Sequence, residues 1–112
     1  AYTHVVGTSG GNTDDMVEAL DMMSKGLDPA GLVTHIGGLG AVIEATKHLP
    51  EIPGGKKLIY THINMPLTPI ADFEKLGETN EVYKTLAQMC AANLGLWSVE
   101  AESYLLANAD KL

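Results

Sequence analysis

Residues 25–36 read Lys-Gly-Leu-Asp-Pro-Ala-Gly-Leu-Val-Thr-His-Ile, and this stretch decides the fold. Glycine directly after a helical pattern usually ends the helix, so Gly26 predicts a helix that closes there. Asp28 before Pro29 suits a single helical turn, with the aspartate as cap and proline at the first position. Residues 32–36, Leu-Val-Thr-His-Ile, include three β-branched side chains and predict a strand.

A strand and a helix are predicted on the amino-terminal side of this stretch. The segment from Thr3 to Gly7 is short and rich in β-branched residues, which favours a strand. After a turn of glycine and serine, a helix is expected from about Thr13 to Lys25, capped by Asn12 or by Thr13 itself. Its apolar residues recur at helical spacing and form one stripe available for burial: Met16, Ala19, Leu20 and Met23.

A second helix and a third strand are predicted on the carboxyl-terminal side. Gly37-Gly38 is expected to break the strand, and a short helix should follow over residues 39–48. Pro53-Gly54-Gly55 is typical of a turn, and the segment from Lys57 to His62 predicts the third strand. The short helix is expected to bury its apolar side chains: Val42, Ala45 and Leu49.

The chain beyond Asn64 is expected to be entirely helical. Thr68-Pro69 should start a short helix that Gly77 ends, Asn80 should cap a longer helix, and Ser98 should cap a last one. The expected fold is therefore α/β, with about three short strands and four to five helices. We expect an α/β segment over residues 1–63 and a helical extension over residues 64–112 that packs on it as one compact unit.

Composition excludes several classes of partner. The formal net charge of -7 argues against nucleic acid and anionic membrane, because both attract clustered Lys and Arg. Cys90 is the only cysteine, so no internal disulfide is possible, and a reducing cytoplasmic location is expected. Apolar runs are too short to span a bilayer, and the acidic side chains are dispersed rather than clustered.

The residues alone give no complete active site. The turn over residues 7–11 could hold an anion at a helix start, but it lacks the Gly-Lys-Ser/Thr ending of a phosphate loop. Gly37-Gly38-Leu39-Gly40 fails the dinucleotide pattern, since the third glycine would have to be Ile43. Cys90 lies on an apolar helix stripe, which favours a structural thiol. Four scattered histidines favour structural or capping roles over zinc: His4, His35, His48 and His62.

The order of elements resembles the zinc-dependent medium-chain alcohol dehydrogenase family. The run Lys-Gly-Leu-Asp-Pro-Ala-Gly-Leu-Val-Thr-His is similar to the place where that family's Rossmann domain ends and the chain re-enters the catalytic domain. Glu44-Ala45 and the Gly-Lys-Lys-Leu-Ile run over residues 55–59 resemble its next helix and its terminal strand. The tail resembles the branch related to L-sorbose-1-phosphate reductase, on three stretches: residues 63–67, Asp72-Phe73 and residues 95–102.

The resemblance implies an oxidoreductase that uses NAD(P) and zinc and acts on a sugar or polyol phosphate. Only the backbone after the last Rossmann strand carries over as cofactor-binding: Val5, Val6, Gly7 and Thr8. No catalytic residue and no metal ligand carries over, so this chain alone is expected to be inactive and to hold no cofactor. Its expected partners are the upstream catalytic and Rossmann portions of a parent chain, together with a second copy in a homodimer. A stand-alone, non-catalytic interaction or dimerisation module is the alternative.

Overall fold

A computed structural model describes residues 2–112. Ala1, the first residue of the expected α/β segment over residues 1–63, lies outside the described residues. Five α-helices and three β-strands are found over this range. The helices are α1 (Thr13–Ser24), α2 (Val42–Lys47), α3 (Phe73–Leu76), α4 (Glu81–Ala92) and α5 (Val99–Asn108), and the strands are β1 (Val33–Gly38), β2 (Lys56–Tyr60) and β3 (Thr68–Pro69). The expected class and the expected numbers of helices and strands are confirmed.

The three strands form one mixed sheet in the order β2-β1-β3. Strands β1 and β2 run parallel, with Ile36 opposite Leu58 and Gly38 opposite Tyr60, and α2 lies in the crossover between them. Strand β3 pairs antiparallel with β1 and places Thr68 opposite Ile36. The parallel pair needs a crossover connection, whereas β3 returns beside β1 after a short loop.

One face of the sheet is covered by the helices of the tail. Ile36 is fully buried in a core that joins β1 to the last three helices. Burial of an apolar side chain of this size contributes roughly 1.5–3 kcal/mol, so this core is the main source of stability for the sheet and the tail together. Its other members are Ile63, Met65, Phe73, Leu86, Cys90, Trp97, Ala101 and Leu105.

The helix starts follow the capping residues that the sequence predicts. Asn12 and Asp15 form a capping box, with the Asn12 side chain 3.0 Å from the Asp15 amide and the Asp15 carboxylate 2.8 Å from the Asn12 amide. Asn80 accepts hydrogen bonds from the backbone at the start of α4, and Ser98 does so at the start of α5. Each cap satisfies backbone donors that the helix itself leaves free.

A polar contact joins strand β2 to helix α5. The Tyr60 hydroxyl donates a hydrogen bond to the Glu102 carboxylate and accepts one from the Trp97 indole at 3.0 Å. Burial, followed by the hydrogen bond to Glu102, raises the pKa of Tyr60 above its usual range, so the hydroxyl keeps its proton at neutral pH. The contact therefore holds the half-buried phenol between the sheet and the tail.

The predicted strand over Thr3 to Gly7 is wrong. The segment has no regular secondary structure, and the side chains of Val5 and Val6 are 96% and 87% exposed. A strand needs a neighbour for its backbone N–H and C=O groups, and the described sheet provides none here. Helix α1 forms where predicted, but its apolar stripe stays largely exposed, and none of its residues is buried.

Two further expectations about the sheet are wrong. Gly37-Gly38 does not break the strand but forms its last two residues, both buried and both paired with β2. Thr68-Pro69 is not a helix start but the short third strand, and the helical turn begins only at Ile70. Leu49, expected to be buried after α2, is exposed, whereas Val42 and Ala45 are half-buried.

No helix over residues 2–112 is long and apolar enough to cross a membrane.

Gly38 sits where the chain after β2 crosses the end of β1. Its amide donates to the Met65 carbonyl at 2.8 Å. A Cβ atom at Gly38 would lie 2.3 Å from the Ile63 carbonyl oxygen and 2.7 Å from the Met65 nitrogen. Both are backbone atoms, so no side-chain movement relieves the clash, and this position requires glycine.

We predict that Gly38→Ala lowers the free energy of unfolding by about 2 kcal/mol or more, because the backbone of Ile63–Met65 must move away. Gly40→Ala is the matched control, since a Cβ there meets only the Asn64 side chain at 3.7 Å. We expect a change of about 1 kcal/mol or less for the control. Chemical denaturation followed by circular dichroism measures both, and equal effects would contradict this account of Gly38.

Candidate functional site

A groove of about 740 Å³ lies on the sheet face that the tail helices leave uncovered. Helix α2 forms one wall, and the segment from Asn64 to Pro69 forms the other. The floor and walls are mostly apolar, with Ala41 just before α2, Ala45 from α2, and Met65 and Leu67 from the opposite wall. Cavities of this size are typical of sites that bind ligands or peptide side chains.

His35 provides a polar group at the bottom of this groove. Its side chain is only 6% exposed, and its Nδ1 atom is 2.8 Å from the Thr34 hydroxyl oxygen. No polar side-chain atom that is sealed from solvent lacks a hydrogen-bond partner among the described residues. The second ring nitrogen, Nε2, therefore opens into the groove that His35 lines.

The surroundings of His35 keep its imidazole neutral at neutral pH. Burial lowers the pKa of His35 below 6.5, and the nearby positive charge of Lys57 lowers it further. Asp72 acts in the opposite direction but is the weakest of the three influences. The Lys57 ammonium is itself held by backbone carbonyls, the nearest being that of Gly55 at 2.8 Å. A neutral imidazole offers one donor or one acceptor to the groove, according to its tautomer.

The rim of the groove is acidic. His48 lies between two carboxylates, with Nδ1 3.1 Å from Glu51 and Nε2 3.5 Å from Glu44. Lys47 also contacts Glu44 at 3.2 Å. All four side chains are exposed, so these pairs add little to stability but set the charge of the rim. The predicted position of His48 at a helix end is confirmed, since it directly follows α2.

The residues predicted to border a cofactor lie elsewhere. Val5, Val6, Gly7 and Thr8 are in the exposed segment before α1, and a Cβ at Gly7 would meet nothing within 4 Å. The structure does not bring them together with the groove, whose lining comes from residues 35–69. Their role at a nicotinamide stays a prediction.

The possible metal and thiol groups are separate from one another. Over residues 2–112, no three His, Cys, Asp or Glu side chains are grouped so as to hold a metal ion. Cys90 is buried in the core, as predicted for a structural thiol, and burial raises the pKa of its thiol. The thiol is therefore protonated and poorly nucleophilic at neutral pH.

Sequence reasoning missed the groove and the role of His35 in it. Thr34-His35 was interpreted as strand sequence with a structural histidine, and nothing in its spacing points to Glu44 or Asn64. The sequence carried no signal for the groove, since the irregular register between Val33 and His35 is visible only once the strands are paired. The contact between Tyr60, Trp97 and Glu102 was missed for the same reason, since these residues are distant in sequence.

Comparison with known proteins shows strong similarity to sugar-phosphate enzymes. The chain is 46% identical over 105 residues to mannitol-1-phosphate 5-dehydrogenase of Aliivibrio fischeri (strain ATCC 700601 / ES114) and 50% identical over 113 residues to L-sorbose 1-phosphate reductase of Klebsiella pneumoniae. These matches cover 93% and 100% of the chain. The chain is homologous to a segment of polyol-phosphate oxidoreductases.

The match covers only part of each of these oxidoreductases. The chain spans 25% of the dehydrogenase and 26% of the reductase. It is also 57% identical over 106 residues to a protein of Escherichia coli (strain K12) named uncharacterized protein YggP, covering 94% of this chain and 25% of that relative. No family model matches, and no solved structure matches significantly. The predicted likeness to L-sorbose-1-phosphate reductase is confirmed, whereas zinc dependence and the medium-chain class stay predictions.

We predict that His35 titrates below pH 6.5 in the folded chain, because burial and Lys57 both disfavour the imidazolium ion. The unfolded chain then binds more protons than the folded one between the folded pKa and 6.5, so the free energy of unfolding falls as the pH drops through this window. Lys57→Gln should raise the midpoint, and Asp72→Asn should lower it. Proton NMR of the His35 ring measures all three, and a wild-type midpoint at or above 6.5 would show that the site is not desolvated.

Proposed function

We propose that this chain is a segment of an oxidoreductase that acts on a sugar or polyol phosphate, of the kind related to L-sorbose-1-phosphate reductase. The observation that carries the proposal is the identity of 46% and 50% to two enzymes whose names specify a 1-phosphate substrate. One name describes oxidation of an alcohol and the other describes reduction, which are the two directions of the same type of reaction. A cytoplasmic location is part of this proposal.

The proposal includes NAD(P) and zinc in the whole protein and places it in the medium-chain alcohol dehydrogenase family. Nicotinamide would exchange hydride with the substrate carbon, and zinc would polarise the substrate oxygen. The described residues of this chain do not fit a zinc site, because no three suitable side chains are grouped. We therefore assign no step of the reaction to this chain and propose that it is inactive alone.

The contribution of the segment would be structural support. The core around Ile36 and the contact between Tyr60 and Glu102 make the sheet and the tail helices one packed body. The segment before α1, with Val5 to Thr8, is exposed and free to pack against other parts of a longer chain. In this proposal these four residues would border the nicotinamide only when such parts are present.

We predict that the 112-residue chain shows neither NAD(P)-linked oxidation of mannitol 1-phosphate nor reduction of L-sorbose 1-phosphate. A chimera in which this chain replaces the matching segment of the Klebsiella reductase should keep that reductase's activity within about tenfold, because half of the residues are identical. The measurement is nicotinamide absorbance at matched protein concentration.

The control for the chimera is the same protein carrying Gly38→Ala, which should fold poorly and lose activity together with stability. A chimera that folds like the reductase but has no activity would contradict the proposed function. Activity of the isolated chain would contradict the assignment of a supporting role.

A stand-alone interaction or dimerisation module is the second candidate, and the uncovered face of α1 favours it. Met16, Leu20 and Met23 are 65%, 65% and 45% exposed on one stripe of this helix, and Met22 beside them is 46% exposed. Apolar surface of this kind is a common site of association, and methionine adapts to many partners. We therefore propose a homodimer in solution, which is compatible with either candidate.

We predict that the chain sediments as a dimer at micromolar concentration and that Leu20→Lys shifts it to a monomer, because the charge enters the apolar stripe. Glu18→Lys is the matched control, since residue 18 lies on the opposite side of the helix and should leave the dimer intact. A wild-type monomer, or a dimer insensitive to Leu20→Lys, would show that this face does not mediate association.

A further inference from the structure

The groove beside α2 combines an apolar lining with one partly satisfied polar group at its bottom. His35 is more than nine-tenths buried, yet only its Nδ1 atom is engaged within the chain. The free Nε2 atom faces a space that protein atoms do not fill. An occupant of the groove can give this open nitrogen a hydrogen-bond partner in place of solvent.

The charge of the groove restricts the occupant. Glu44 and Glu51 stand on its rim, and no Lys or Arg is among its lining residues. A phosphate or another anion would be repelled there, whereas an ammonium or guanidinium group could share the two carboxylates with the side chains that already contact them, Lys47 and His48. The apolar lining from Ala45 to Leu67 favours aliphatic or aromatic groups below that charge.

We propose that this groove is the docking site for an extended apolar peptide segment with one basic side chain, supplied by another part of the same, longer polypeptide. The basic side chain pairs with Glu44 and Glu51 at the rim, and the segment's backbone or a polar side chain hydrogen-bonds to His35 Nε2. The apolar side chains cover Ala45 and the wall from Met65 to Leu67.

The source of the segment follows from the comparisons, and in this respect the inference rests on the proposed function. The relatives have about three quarters of their length outside the part that this chain matches. Within the described residues, the groove is left open, whereas on the opposite face of the same sheet Ile36 is buried against α3, α4 and α5. A segment from the same polypeptide also needs no high concentration to bind, because the covalent link keeps it near.

The test uses overlapping synthetic peptides that cover the unmatched three quarters of the Klebsiella reductase. Each is titrated into the isotope-labelled chain, and amide and imidazole resonances are followed by NMR. We expect binding by a peptide in which Lys or Arg is flanked by apolar residues. The chemical-shift changes that this peptide causes in the labelled chain should be confined to residues of the groove. They should include the Nε2 resonance of His35.

Two charge reversals make the test specific. Glu51→Lys should weaken the binding of that peptide about tenfold or more, because it reverses one of the two rim carboxylates. Glu100→Lys makes the same change in charge in the first turn of α5, outside the groove, and should leave the affinity unchanged.

The inference is overturned if no peptide binds, if the peptide that binds most tightly is acidic, or if both charge reversals weaken binding equally. An active chimera together with no peptide binding overturns this inference and leaves the proposed function intact. An inactive, folded chimera overturns the proposed function, and groove binding by a basic apolar peptide then still supports the occupant proposed here.

Discussion

The hydrogen bond from the Gly38 amide to the Met65 carbonyl, at 2.8 Å, is the contact on which the rest of the structure depends. It brings the chain that leaves β2 against the end of β1, with no room for a side chain between them. Ile63 and Met65, which flank that crossing in the chain, are both buried in the core. The end of the chain adds to it, since the Asn64 amide donates to the Asp110 carbonyl and Ile63 pairs with Lys111.

This crossing gives the sheet two unlike faces. On one face, Ile36 meets the apolar side chains of the last three helices, and Tyr60 is held by Trp97 and Glu102. On the other face, the segment after Met65 forms only one wall of a groove, and α2 forms the second. The covered face supplies most of the buried apolar area, and the open face carries the groove with His35. One face of the three-stranded sheet therefore stabilises the fold, and the other face carries the proposed docking site.

Local features of this fold were predictable from the sequence, and features that need distant partners were not. The caps at Asn12, Asn80 and Ser98 were confirmed, because a cap depends on residues within one helical turn. The strand over Thr3 to Gly7 was wrong, since β-propensity has no effect without a neighbouring strand. Thr68-Pro69 resembled a helix start, but pairing with β1 overrode that local pattern. The groove joins His35 to residues of α2 and of the wall after Asn64, so no sequence spacing could reveal it.

Native-state hydrogen exchange of the Gly38 amide tests most directly whether the sheet and the tail form one cooperative unit through this crossing. The account predicts that this amide exchanges only by global unfolding, with the same free energy and denaturant dependence as the amide of Leu86 in the buried part of α4. Exchange of Gly38 through a local opening, at a free energy well below that of Leu86, would contradict it.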